Sequence, residues 1–181
     1  MSKLRKTQGF TLIEMMVTLA LVVIMLSLAV PSLTQYRRNS TLSATANAFL
    51  GSINTAKAEA MRQGKPVFMM PTDGKDWRSG WVLFIDANFD GQKQDSETIL
   101  AQQDAIASDI QIPTDKVQAF ADASGPYLAI GGNGYPRSKS GSMLSGAIDF
   151  AYQDSSNLIR RRVNLGLSGQ AQVCDSTNTD C

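Results

Sequence analysis

Asp86, Asn88, Asp90 and Glu97 stand in the spacing D-x-N-x-D-G-x5-E, with Gly91 at the turn. Oxygen ligands at that spacing are the pattern of a calcium loop. The candidate Ca2+ ligands are Asp86, Asn88, Asp90, the Gln92 carbonyl and Glu97. The flanks, WVLFI before and TIL after, are strand-like, so no helix-loop-helix frames the loop. Lys93 occupies a position where such loops place an aliphatic side chain, and it adds positive charge. The same residues also suit a polar hairpin loop of turn-forming Asp, Asn and Gly.

Glu14 is the second chemically distinctive residue. It is the only charge in residues 10–30, FTLIEMMVTLALVVIMLSLAV. A carboxylate inside a membrane helix costs ~2.5 kcal/mol or more and usually marks function. Lys3, Arg5 and Lys6 precede it with no acid among them, a flank that stays cytoplasmic while the rest is exported. Gly9 lies before the apolar run. Cutting after Gly9 would remove the basic leader and keep the helix. Phe10 would then carry a free α-amino group, a natural partner for Glu14 of a neighbouring subunit. Two other readings stand beside this one. Ser27 and Ala29 could mimic an ordinary signal cleavage site, and Glu14 could snorkel to the membrane surface.

Basic residues supply a third candidate chemistry. Arg160, Arg161 and Arg162 are consecutive, and Arg137 and Lys139 lie in a preceding loop. Such cations can contact the phosphates of DNA. Consecutive strand residues alternate faces, so Arg160 and Arg162 share one and Arg161 takes the other. A solvated, charge-blunted strand edge fits the same residues. Cys174 and Cys181 are the only cysteines. Both fall on the exported side, where a disulfide would persist and pin the terminus; two free thiols are the alternative. With no His in the chain, a Ser-His triad and most zinc sites are excluded. No nucleophile elbow, phosphate-binding loop or dinucleotide fingerprint is present. Asp73, Asp76, Asp86 and Asp90 have no spacing that raises them to an acid–base pair. The expectation is that the protein is not an enzyme and needs no cofactor, calcium being the one candidate.

The elements that position these residues follow from periodicity. Residues 10–30 are long enough for a helix to cross a bilayer core of ~30 Å. Beyond Pro31, Leu42, Ala46, Phe49, Ile53, Ala56 and Ala60 recur at 4-3-4-3-4 spacing, one stripe of a continuing helix. Gly64 and Pro66 stop it. Strands are predicted over residues 66–70, 81–86, 98–102, 110–113, 127–130, 147–152, 158–164 and 170–174, with residues 131–136 a loop. Ile148, Phe150 and Tyr152 alternate with Ala147, Asp149 and Ala151, as in a half-buried strand. The expected organisation is a leader (1–9), a transmembrane helix (10–30), its amphipathic continuation (31–63) and a β-rich head (64–181). The fold class is α+β, a long N-terminal helix packed on antiparallel sheet.

The run KTQGFTLIEMMVTLALVVIMLSLAVPS resembles the signal of type IV pilins and type II secretion pseudopilins. AKAEAMRQGKPV, DWRSGWVLFIDANFDGQKQDSETIL, the GNGYPR loop and the C-terminal hairpin are similar to the GspH/FimT family of minor pilins and pseudopilins. The resemblance implies cleavage after Gly9 by a prepilin peptidase, N-methylation of Phe10, and a bend or local unwinding near Pro31. It implies an inner-membrane protein with a periplasmic head, assembled with other major and minor pilins through Glu14 and the apolar helix. Its expected place is that of a low-copy subunit acting in pilus initiation. A pseudopilin of type II secretion shares these features. Many pilins carry a C-terminal disulfide, which favours the pilus. Some family members bind DNA in natural transformation through a Gly-Arg-x-Arg element. Here Gly169-Gln170-Ala171-Gln172 stands in its place, without the cations that drive counterion release.

Overall fold

Helix α1 spans Leu12–Gln63 in the computed structural model, which describes residues 9–88, 90–113, 120–121, 125–152 and 160–175, with backbone alone at 28–31. The helix is continuous through Pro31, so the local unwinding that the resemblance allowed is not seen there. Thr11 caps its start: the Thr11 carbonyl accepts the Met15 N–H, and the Thr11 hydroxyl accepts the Glu14 N–H at 3.3 Å. The threonine hydroxyl thus answers one of the orphan N–H groups of the first turn, and its carbonyl takes the first intrahelical bond. At the other end Gly64 takes φ +64°, the left-handed conformation that ends a helix cheaply only for glycine.

The chain divides into two compact units, residues 1–39 and 40–181. In the first, the side chains from Phe10 to Leu26 are exposed and mostly apolar. The hydroxyls of Thr18 and Ser27 donate to the carbonyls of Met15 and Ile24 within their own helix. Polar groups satisfied inside the segment are what lipid requires. Among the described residues, α1 is the one helix long and apolar enough to cross a membrane.

Among the described residues the second unit has nine strands: β1 (Val67–Pro71), β2 (Trp81–Ile85), β3 (Ile99–Gln103), β4 (Ile110–Gln111), β5 (Leu128–Ile130), β6 (Pro136–Arg137), β7 (Gly146–Tyr152), β8 (Arg160–Leu165) and β9 (Ala171–Asp175). They form two antiparallel sheets, ordered β3-β2-β1-β5-β6 and β4-β7-β8-β9. The stripe Leu42, Ala46, Phe49, Ile53, Ala56 and Ala60 is buried and shares one core with both sheets. Phe49 stands at its centre, edge-on to Trp77, Trp81, Phe120 and Phe150 at 5.0–5.5 Å. Such pairs add ~0.5–1.5 kcal/mol each beyond burial. The Trp81 indole N–H reaches the Ser52 hydroxyl at 2.8 Å, so the buried ring keeps its polar edge satisfied. Strand alternation sends Val67 and Met69 to this core and Phe68 to the opposite face. There Phe68 stacks with Phe84 and Tyr127 in a second cluster. Both faces of β2 are therefore covered, and all five of its residues are buried.

Two details differ from the sequence expectation. β6 is a two-residue strand inside what reads as loop. The strand β7 is not half-buried: Asp149, on the side away from the core, is 0% exposed.

Candidate functional sites

Gly9 and Phe10 precede the helix and are exposed, Phe10 at 73%. A Cβ built at Gly9 meets nothing within 4 Å, so no described atom crowds position 9. Glu14 lies in the first turn of α1, exposed, where a negative charge also favours the positive end of the helix. Thr-x-x-Glu from Thr11 to Glu14 has the form of a capping box. Its threonine half is the bond described above. The cap was legible in that motif, yet attention to the carboxylate alone passes over Thr11.

The acidic loop joins β2 to β3. Asp86 is buried, and its two oxygens accept the backbone N–H groups of Asp90 (3.2 Å) and Gly91 (2.8 Å). Glu97 accepts from Ala87 N–H and Gln94 N–H, tying the two arms of the loop together. Asp90 accepts the Gln92 N–H at 2.8 Å and the side-chain amides of Asn88 and Gln94. The Gln92 N–H, ahead of the two side-chain amides, holds the Asp90 carboxyl below its ordinary range. The carboxylates thus serve the loop's own donors and do not converge. Among the described residues, no three acidic, His or Cys side chains meet to hold a metal. In this structure Asp86, Asp90 and Glu97 are engaged as the acceptors of a polar hairpin.

The basic residues fall in two sheets. Arg160 and Arg162 lie on β8, and Arg137 on β6 with Lys139 just beyond. Arg162 is committed: Nε and Nη2 reach the two Asp149 oxygens at 2.7 and 2.9 Å. That fork raises the guanidinium pKa further above its ordinary value. Arg161 is engaged with Asp175 at 2.9 Å and the Ser43 hydroxyl at 3.2 Å. Lys139 lies 4.8 Å from the centre of the Tyr127 ring. Arg162 thus compensates a buried carboxylate. Asp149 is the partner that sequence reasoning missed. Its signal was an acid in β7 that pairs in register with Arg162 in the arginine run of β8.

Gln170 and Gln172, in the glycine-led segment, line a groove of about 820 Å³ with Asn54 and Lys57. Lys57 donates from α1 to the carbonyls of Ser168 (3.2 Å) and Gly169 (3.1 Å), fastening the β8–β9 turn. Gly169 has φ +70°, and a Cβ there would come within 2.4 Å of the Gly134 carbonyl oxygen. The turn can close against the β5–β6 loop only because position 169 lacks a side chain. Cys174 lies on β9 and is disulfide-bonded; Cys181 lies outside the described residues.

Residues 4–30 match the prokaryotic N-terminal methylation motif. With that motif on an apolar helix and a head of two antiparallel sheets, the chain is pilin-like. Residues 45–169 match the family described as type II transport protein GspH, more than half of the chain. The chain therefore belongs to the GspH family of type IV minor pilin and pseudopilin proteins. Among solved structures, it is similar to the type IV minor pilin FimU of Pseudomonas aeruginosa. The TM-score is 0.55 at 18% identity, over 78% of this chain and 93% of that one. The minor pseudopilin EpsH of the Vibrio cholerae type 2 secretion system is similar at TM-score 0.53 and 12% identity, over 76% of this chain and 98% of that one. At these identities the likeness is one of fold. No curated protein matches the chain by sequence.

Proposed function

We propose that the chain is a minor type IV pilin acting in pilus assembly and initiation. A prepilin peptidase cleaves after Gly9, Phe10 is methylated, and residues 10–30 anchor the product in the inner membrane with the head in the periplasm. The observation that carries this is the N-terminal end. A glycine with open space about it is followed by a capped helix whose apolar run, residues 10–30, holds a single carboxylate, in the first turn. Other pilins are the partners, met through that helix. The second reading, a type II secretion pseudopilin, is favoured by the family's own description. Loss of surface pili on deletion, with secretion intact, would select the first. A DNA receptor for transformation is disfavoured, because Arg162 is held by Asp149 and glutamines replace the family's arginines. The processing step has its own test. Gly9→Val is expected to leave an uncut precursor, seen by intact mass; normal cleavage of that variant would refute the leader assignment.

A further inference from the structure

A cavity of about 530 Å³ opens over Phe68 and Ala129, on the face of the five-stranded sheet turned away from α1. That size lies within the ~300–1,000 Å³ of small-ligand sites. Its polar lining is unbalanced. The Arg137 stem crosses Gly131, where a Cβ would stand 3.3 Å from Nε and 3.4 Å from Cδ. The Arg137 guanidinium has no hydrogen bond or ion pair with another described residue. Asn133 accepts the Tyr135 N–H through Oδ1 at 3.3 Å, so its amide N–H groups are the part left to donate. The carboxylate in the wall, Asp86, is already satisfied by two backbone N–H groups. Lys139, also in the lining, adds positive charge beside Tyr127.

A site with spare donors and a planar fork suits a group that accepts, and the fork suits a carboxylate taken bidentately. The apolar floor suits an uncharged body attached to it. We propose that this cavity binds a carboxylate carried on an apolar group, with Arg137 as its anchor and Asn133 as a second donor. The site is independent of the assembly reading, since it uses no residue of the N-terminal segment. Its ligand is either the free C-terminus of a polypeptide ending in an apolar residue or a free small apolar acid.

The test is calorimetry on the full-length chain in non-ionic detergent. The probes are a tripeptide ending in leucine with a free carboxylate, its C-terminal amide, phenylacetate and inorganic phosphate. The free-acid peptide binding at least tenfold tighter than its amide supports the site and a polypeptide source. Phenylacetate binding without the peptide supports it with a small-molecule source. Arg137→Gln should abolish either signal, and Gly131→Ala, which keeps every charge but crowds the Arg137 stem, should weaken it severalfold. Arg137 is exposed, so an unchanged Trp fluorescence and melting point will show that these variants fold. Phosphate binding as tightly as the apolar acids, no binding at millimolar probe, or full binding by Arg137→Gln would each overturn the proposal.

Discussion

Asp149 has no access to water, and Arg162 supplies the charge and both donors it needs. Removing one partner of a buried pair costs more than the pair contributes, because it leaves a charge uncompensated. Arg162→Met is therefore expected to destabilise the protein by about 3 kcal/mol, the low end for such pairs since the guanidinium edge is part-exposed. Arg162→Met with Asp149→Leu should recover much of that loss. Denaturant unfolding of the three proteins checks it; a single variant within about 1 kcal/mol of wild type would sink the account. A second residue-scale consequence concerns acid. Asp73 accepts the N–H groups of Asp76 and Lys75, and Asp76 accepts from Arg78. These bonds, led by Asp76 N–H for Asp73 and by the Arg78 side chain for Asp76, hold both carboxyls below their ordinary values. A depressed folded pKa contributes stability that is present above the unfolded value, ~3.9, and is lost as pH falls through the folded value below it. Amide protection of residues 75–79, and the Trp77 fluorescence that depends on them, should hold at pH 5 and fail only below about pH 3.9. An identical acid step in Asp73→Asn with Asp76→Asn would assign it elsewhere.

Lys57 links one element to another, reaching from α1 to the β8–β9 turn. Lys57→Met keeps the stem and removes two charge-assisted bonds, a loss of about 1–2 kcal/mol for a half-buried ammonium. Hydrogen exchange should quicken in residues 166–170 before it does in β7; a uniform change across the sheet would mean that Lys57 is no local fastener. Elements were also the scale most legible in the amino-acid sequence. The stripe from Leu42 to Ala60 is read by period alone, and every member is buried. Eight of the nine described strands overlap segments that the local pattern predicts between turn-formers. Their partition into two sheets does not follow from that pattern. It depends on long-range choices, such as β1 pairing with β5 from Val67↔Ile130 to Met69↔Leu128, and local pattern carries no trace of them. β6 is too short to show a period. Asp149 looked solvated because alternation reveals that a face exists, not what covers it. The loop acids were legible as a cluster, but their targets are set by rotamer, and the rotamers choose backbone N–H groups.

At the scale of the whole molecule, charge is segregated more sharply than its sum of +1 suggests. Removal of Lys3, Arg5 and Lys6 would leave 14 basic against 16 acidic residues, a net of −2. In that mature chain the membrane segment would hold one side-chain charge, Glu14, and one terminal charge, the amine of Phe10. Burying Glu14 in lipid alone costs ~2.5 kcal/mol or more. A neighbour's amine offsets that cost only when the two helices are offset by the few residues separating Phe10 from Glu14. The pair would therefore set register as well as attraction. Glu14→Gln removes both the cost and the selection. It is expected to leave membrane insertion and cleavage after Gly9 unchanged, because neither uses the charge. Recovery of the protein in sheared filaments should fall on the order of tenfold, the equivalent of ~1.4 kcal/mol of lost pairing. Glu14→Asp, which keeps the charge on a shorter arm, should fall between the two. Quantitative immunoblots of membrane and sheared fractions, with intact mass on each, separate the outcomes. Full recovery of Glu14→Gln in the sheared fraction would show that apolar packing alone places the subunit.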